Sequence, residues 1–155
     1  MTRLELLRAY NDIKTIIDYM IEIKSIKFTA SPLAPNTFKG MKNYHNDFGQ
    51  FLVYNGGDHG FLGLEHNVKF RALHDYMHLT NNLTFKFEDE KKLSDITVRE
   101  FSSFAKNFLR LSEKRIYNLE RVIDREIRGQ IEYFQVNKSY VPCQTTFILK
   151  SFNLV

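Results

Sequence analysis

His74-Asp75-Tyr76-Met77-His78 is the stretch that decides how this chain is read. On a helix, side chains four residues apart share a face, so His74 and His78 can reach one ion, the geometry that makes paired helical histidines good zinc chelators. A third donor has to come from elsewhere. Glu90 follows His78 after eleven residues, far enough along to begin the next element and fold back. Glu88 competes with it, and the bland reading of both is a solvated acidic first turn complementing a helix dipole. Upstream, Phe70, Leu73 and Met77 share the stripe of His74 and His78 and predict a helix beginning near His66 or Asn67. A histidine facing a core loses its hydration, which is costly unless a ligand or hydrogen-bond partner replaces it.

Downstream, Asn81-Asn82 marks a helix stop, and Leu83 to Phe87 reads as extended. Ser94 or Asp95, and Thr97 with Glu100, carry N-cap signals. A helical period then runs from about Asp95 through Phe101, Phe108, Leu119, Ile123, Ile127 and Ile131 to Phe134, as one helix or two meeting near Ser112, with Gly129 a weak point. On or beside its apolar face stand Glu126 and Gln130. A buried carboxylate needs a cation or several donors, which makes Glu126 a candidate ligand or general base. The tail from Lys138 to Val155 is expected to pack back over the helices and to add a short strand.

Toward the N-terminus, Thr2 and Glu5 form a capping-box pair. Apolar residues at helical spacing from Leu4 to Ile21 predict a helix over about 3–24. Thr29 to Asn43, with Pro32, Pro35 and Gly40, reads as a loop. Phe48 to Tyr54 reads as a strand closed by a turn at Asn55-Gly56-Gly57-Asp58. The fold class expected is mainly α, a compact helical bundle with a small β element, in a single domain over 1–155.

A chain of 155 residues can bury a core without disulfides. The lone Cys143 leaves no CxxC pair, so a metal would take His and carboxylate ligands, and beside Pro142 it reads as a small buried residue. With 22 basic and 18 acidic residues the net charge is +4, but the basic residues alternate with acids, which argues for a solvated surface and against nucleic acid. No signal-like segment or bilayer-length apolar run is found, so a soluble, cytoplasmic protein is expected. Gly56-Gly57 lacks the context of a phosphate-cradling loop.

The series His74-Asp75-x-x-His78, eleven residues, then Glu90 resembles the metal-binding signature of the scaffold family of coenzyme Q biosynthesis, which is helical and implies zinc. Residues Asn67 to His78, with Glu126-x-x-Gly129-Gln130-x-x-Tyr133, also resemble small uncharacterised bacteriophage proteins sharing the HDxxH pattern. There the carboxylate turn looks like Phe-x-x-x-Gly-Glu, whereas Asp89 stands in place of the Gly here. The resemblance implies His74, His78 and Glu90 as ligands of a divalent metal, foremost zinc, and a host-cell cytoplasmic setting. Asp75 is then a fourth ligand or a partner of the ligands; on an ideal helix it points about 100° from His74, which favours the latter.

Two functions follow. In one, the metal polarises water, Glu126 or Asp75 takes the proton, and a phosphoester or amide of a small molecule is hydrolysed. In the other, a helical scaffold grips a partner such as a host protein.

Overall fold

The computed structural model describes residues 1–155. Helix α1 (Arg3–Ile23) is the central element, because Leu6, Ala9, Tyr10, Ile13, Ile16, Ile17 and Met20 are all buried along it. Its start is fixed by the expected capping box: the Glu5 amide donates to Thr2 Oγ1 at 3.2 Å and the Thr2 amide donates to Glu5 Oε2 at 2.8 Å. Around α1 pack α3 (Gly63–Asn81), α4 (Phe87–Asn107) and α5 (Glu113–Asp124). They enclose a core of 26 buried hydrophobic residues.

The small β element is a parallel pair, β1 (Phe28–Ser31) and β2 (Phe51–Tyr54), with Phe28 opposite Phe51. Parallel strands need a crossover, and helix α2 (Phe38–Phe48) supplies it. The stretch Thr29 to Asn43 is therefore not a loop throughout. Pro32 and Pro35 occupy only the turn, after which Thr37 caps α2 by accepting from the Gly40 amide at 3.1 Å. Phe48 closes α2 instead of opening a strand, and Gly49 follows in the left-handed conformation at φ 65°. Phe51 and Val53 point into the core, and β2 rests on α3.

α3 starts at Gly63, a few residues earlier than its apolar stripe indicates, and stops as expected at Asn82, which is left-handed at φ 51°. Leu83 to Phe87 forms no strand; α4 already begins at Phe87, with Glu88, Asp89 and Glu90 in its first turn, where acidic groups complement the helix dipole. The cap-like Ser94 and Thr97 lie buried inside α4, where Thr97 Oγ1 donates back to the Leu93 carbonyl at 2.8 Å. The long periodic run does break near Ser112, the N-cap of α5.

Beyond α5 the helix widens into a π-helical turn over Arg125–Gly129, which hands over to α6 (Gln130–Asn137). The tail forms helix α7 (Gln144–Ser151) in place of the expected strand, and it packs against the π turn. No helix is long and apolar enough to cross a membrane.

Candidate metal centre

The short connection from Asn82 to Lys86 sets the last turn of α3 against the first turn of α4. This brings His74 and His78, one helical turn apart, onto Glu90. His74 Nε2 lies 3.3 Å from Glu90 Oε2, and His78 Nε2 lies 3.3 Å from Glu90 Oε1. The three donors are all within 4.8 Å of one another, near enough to hold one metal ion. Metal–ligand bonds of about 2.0–2.1 Å in a tetrahedron put neighbouring donors roughly 3.3–3.4 Å apart, the size of the two histidine–carboxylate distances, each to its own oxygen of Glu90.

Two details favour an ion over a simple ion pair. His78 Nε2 and Glu90 Oε2 are buried and make no hydrogen bond, although each lies close to a group of opposite character. Leaving such buried atoms unpartnered is costly, and an ion between them would satisfy both. In addition, His78 Nδ1 donates to the Leu83 carbonyl at 2.9 Å. That bond fixes the tautomer with the lone pair on Nε2, the orienting contact that metal-bound histidines usually make. The His78 side chain is fully buried, edge-on to the rings of His74 and Phe85.

The donor set is held from behind by the turn. Asp89 Oδ2 accepts from the Thr84 amide at 3.0 Å and from Thr84 Oγ1 at 2.7 Å. This clamps the segment that carries the Leu83 carbonyl and gives Asp89 a structural task at the position where a glycine is the resemblance's expectation. Burial alone would raise the Glu90 carboxyl, but the charge and hydrogen bonds of the two imidazoles beside it, when these are protonated, outweigh that and hold it down to about 2. A bound cation would favour the ionised carboxylate in the same way. Glu88 is mostly exposed and pairs with Lys91 at 2.9 Å, away from the histidines.

A polar cavity of about 190 Å³ opens beside the centre, lined by Asn67, Arg71 and His74 along one face of α3, by Glu90, and by Glu126, Gln130 and Gln144 among others. Glu126 therefore stands on the wall of the same cavity as two of the three donors. Its face was legible as buried, and the compensating donors are now evident: Tyr10 Oη donates to Glu126 Oε1, and Gln130 Nε2 donates to Oε2 at 2.8 Å. Burial raises the Glu126 carboxyl; the bonds from Tyr10 and Gln130 act in the opposite direction. Burial, and then the Glu126 charge, raise the Tyr10 phenol. The π turn that carries Glu126 is a local widening often found at functional sites.

Asp75 lies outside the three-donor group and is not part of the cavity wall. Burial pushes its carboxyl up to about 7, with His78 and Arg71 opposing and the Glu90 charge adding to the shift. Sequence reasoning missed Tyr10, Asn67, Thr84 and Gln144. Of these only Tyr10 carried a signal, a hydroxyl on an otherwise apolar helix face. Cys143 is corrected as well: it is exposed at the start of α7, with its thiol lowered by the Thr146 hydroxyl and backbone amides.

Another acidic and histidine group, Asp18, Glu65 and His66, is a surface ion-pair network in which Lys69 Nζ already supplies the cation, 2.8 Å from Asp18 and 2.6 Å from Glu65. The chain matches no known protein family, no curated protein and no solved structure.

Proposed function

We propose that the chain is a metal-dependent hydrolase of a small molecule, with His74, His78 and Glu90 holding one divalent ion, zinc foremost. The observation that carries this reading is the convergence of two buried, unpartnered donor atoms, His78 Nε2 and Glu90 Oε2, beside a polar cavity with a second buried carboxylate on its wall. Three protein donors are the number found in catalytic zinc sites, against four in closed structural ones. The likeness of the HDxxH and Glu90 series to the coenzyme Q scaffold family supports zinc as the ion. When bound, a divalent ion supplies Lewis acidity, lowering the pKa of a coordinated water and polarising a substrate oxygen.

The chain's own residues supply the rest. Glu126 takes the proton of the attacking water on its carboxylate, with Tyr10 and Gln130 holding that group in one orientation. A carboxyl raised by burial is a better proton acceptor than an ordinary glutamate. Asp75 acts on the ligands through its charge beside His78 and Glu90, and a cation there favours its ionised form.

The test is to strip the purified protein with a chelator, reload it with zinc or manganese, and assay chromogenic esters, amides and phosphoesters. Metal-dependent turnover is expected, with Glu126→Gln retaining metal but losing roughly a hundredfold or more in rate. Stoichiometric metal with no turnover across the panel contradicts the hydrolase reading.

A further inference from the structure

The three donor residues are not equally accessible, and the difference lies in what covers each side of the centre. The His78 side chain is fully buried, whereas those of His74 and Glu90 keep 22% and 15% of their surface. His74 and Glu90 line the polar cavity, and His78 does not. On the His78 side stands Phe85, edge-on to the imidazole with ring centroids 4.7 Å apart. Phe85 is itself partly exposed, in the connection between α3 and α4, so its ring stands between His78 and solvent. A phenyl ring offers no lone pair to an ion and no hydrogen bond to carry water inward. Nothing approaches along that line unless the ring moves.

The ring is held in place from two directions. Its backbone follows Thr84, whose amide and hydroxyl are both bonded to Asp89, and the Lys86 amide donates back to Thr84 Oγ1 at 3.4 Å. Phe38, the first residue of α2, packs edge-on against it with centroids 6.0 Å apart. The cavity on the other side, of about 190 Å³, has room for roughly six waters at liquid density. Gln144, the partly exposed first residue of α7, stands at its rim. Asp58 Oδ2 accepts from the Gln144 amide at 2.6 Å, and Gly60 comes so close that a Cβ there would lie 3.0 Å from Gln144 Cβ. One side of the centre is therefore sealed by an aromatic ring, and the other is a polar mouth of fixed outline.

We propose that the centre is entered from one side only: the Phe85 ring closes the His78 side, and small ligands and the ion itself exchange through the cavity, past Gln144. The inference rests on the reading of His74, His78 and Glu90 as metal ligands. Phe85 is then a positioning residue. Without touching the ion, it confines any further ligand to the side of His74 and Glu90, where Glu126 lies on the same wall. The consequence is kinetic. A chelator small enough for the cavity meets the ion while the protein still holds it, so metal loss is first order in that chelator. A bulkier one waits for the ion to leave by itself, so metal loss is independent of its concentration.

The test uses full-length protein loaded with zinc, with the zinc remaining on the protein followed by elemental mass spectrometry after rapid desalting. The probes are picolinate, flat and bidentate, and the bulkier EDTA. In the parent, the rate of zinc loss is expected to rise in proportion to picolinate and to stay level as EDTA is raised. Gln144→Trp, which narrows the mouth, should slow picolinate-driven loss roughly tenfold while zinc affinity changes by less than about threefold. Phe85→Ala, which opens the second side, should make the rate rise with EDTA concentration. A merely structural role for Phe85 would speed zinc loss without making it depend on EDTA. The same rate law for both chelators in the parent, an unaltered picolinate rate in Gln144→Trp, or a rate that stays level with EDTA in Phe85→Ala would overturn the proposal. Should one variant not fold, the other variant and the two rate laws of the parent decide. A protein that takes up no zinc overturns this inference together with the metal reading. One that shows these rate laws yet turns over no ester, amide or phosphoester keeps one-sided entry and loses only the hydrolase reading.

Discussion

Replacing Tyr10 by Phe removes a single oxygen from the middle of the structure. The Tyr10 ring is 2% exposed and stacks on Phe61 with centroids 4.9 Å apart, so a phenyl ring keeps the packing and the loss falls on the hydroxyl that donates to Glu126. A hydrogen bond to a charged group contributes roughly 1.5–3 kcal/mol net. At about 2–4 °C per kcal/mol for a domain of this size, the Tm should fall by roughly 3–12 °C at a pH where Glu126 is ionised in the folded protein. The pH dependence has a definite sign. Burial raises the Glu126 carboxyl in the fold, so the folded state holds that proton more tightly than the unfolded chain. Its contribution is favourable below the unfolded pKa and is lost as pH rises through the folded value. The Tyr10 hydroxyl favours the ionised form, and removing it raises the folded value further. The Tyr10→Phe penalty is therefore largest above the folded pKa and shrinks toward the ordinary glutamate range. The assay is thermal unfolding of the parent, Tyr10→Phe, Glu126→Gln and the double variant, at pH 5 and pH 8 with chelator present. A coupling of about 1–2 kcal/mol at pH 8, smaller at pH 5, is expected. Penalties that are equal at both pH values and additive within roughly 0.5 kcal/mol would refute the reasoning.

Three further outcomes follow from the geometry. Glu90→Gln should weaken zinc binding by about a hundredfold or more, since it removes the ionised donor, whereas Glu88→Gln should leave it within about twofold; competition with a chromogenic chelator measures both. Asp89→Ala releases Thr84 and with it the turn that orients His78 through the Leu83 carbonyl, so metal affinity should drop roughly tenfold to a hundredfold. Thr2→Ala breaks the capping box of α1 and should cost roughly 0.5–2 kcal/mol in urea unfolding with no change in metal affinity.

The parts of this fold that were readable in advance are those where a local pattern and the tertiary environment agree. Thr2 and Glu5 cap α1, Asn82 ends α3, and Ser112 separates α4 from α5. The two histidines were readable for the same reason, since helical spacing alone sets them on one face. The parallel pairing of Phe28–Ser31 with Phe51–Tyr54 was not, because it depends on contacts across an intervening helix. That helix, α2, buries only Met41 and so leaves almost no apolar period. The short strand expected in the tail from Lys138 to Val155 is a helix instead, of which only Ile148 is buried, and that helix is placed by Asp58 at its N-terminus. Ser94 and Thr97 carried cap chemistry yet sit inside α4, where Thr97 satisfies its hydroxyl on the preceding turn. At the site, His74, His78 and Glu126 were legible from spacing. The Asn67 and Gln144 walls were not, since single polar side chains announce nothing until the elements around them are packed.

The central claim is that His74, His78 and Glu90 share one ion. Elemental mass spectrometry on the purified protein and on a His74→Ala/His78→Ala variant tests it most directly, with circular dichroism confirming that both are folded. Near-stoichiometric zinc, manganese or iron in the parent, lost in the variant, is the predicted result. A folded parent that carries no metal, and takes up none on dialysis against zinc, manganese or iron(II), would contradict it.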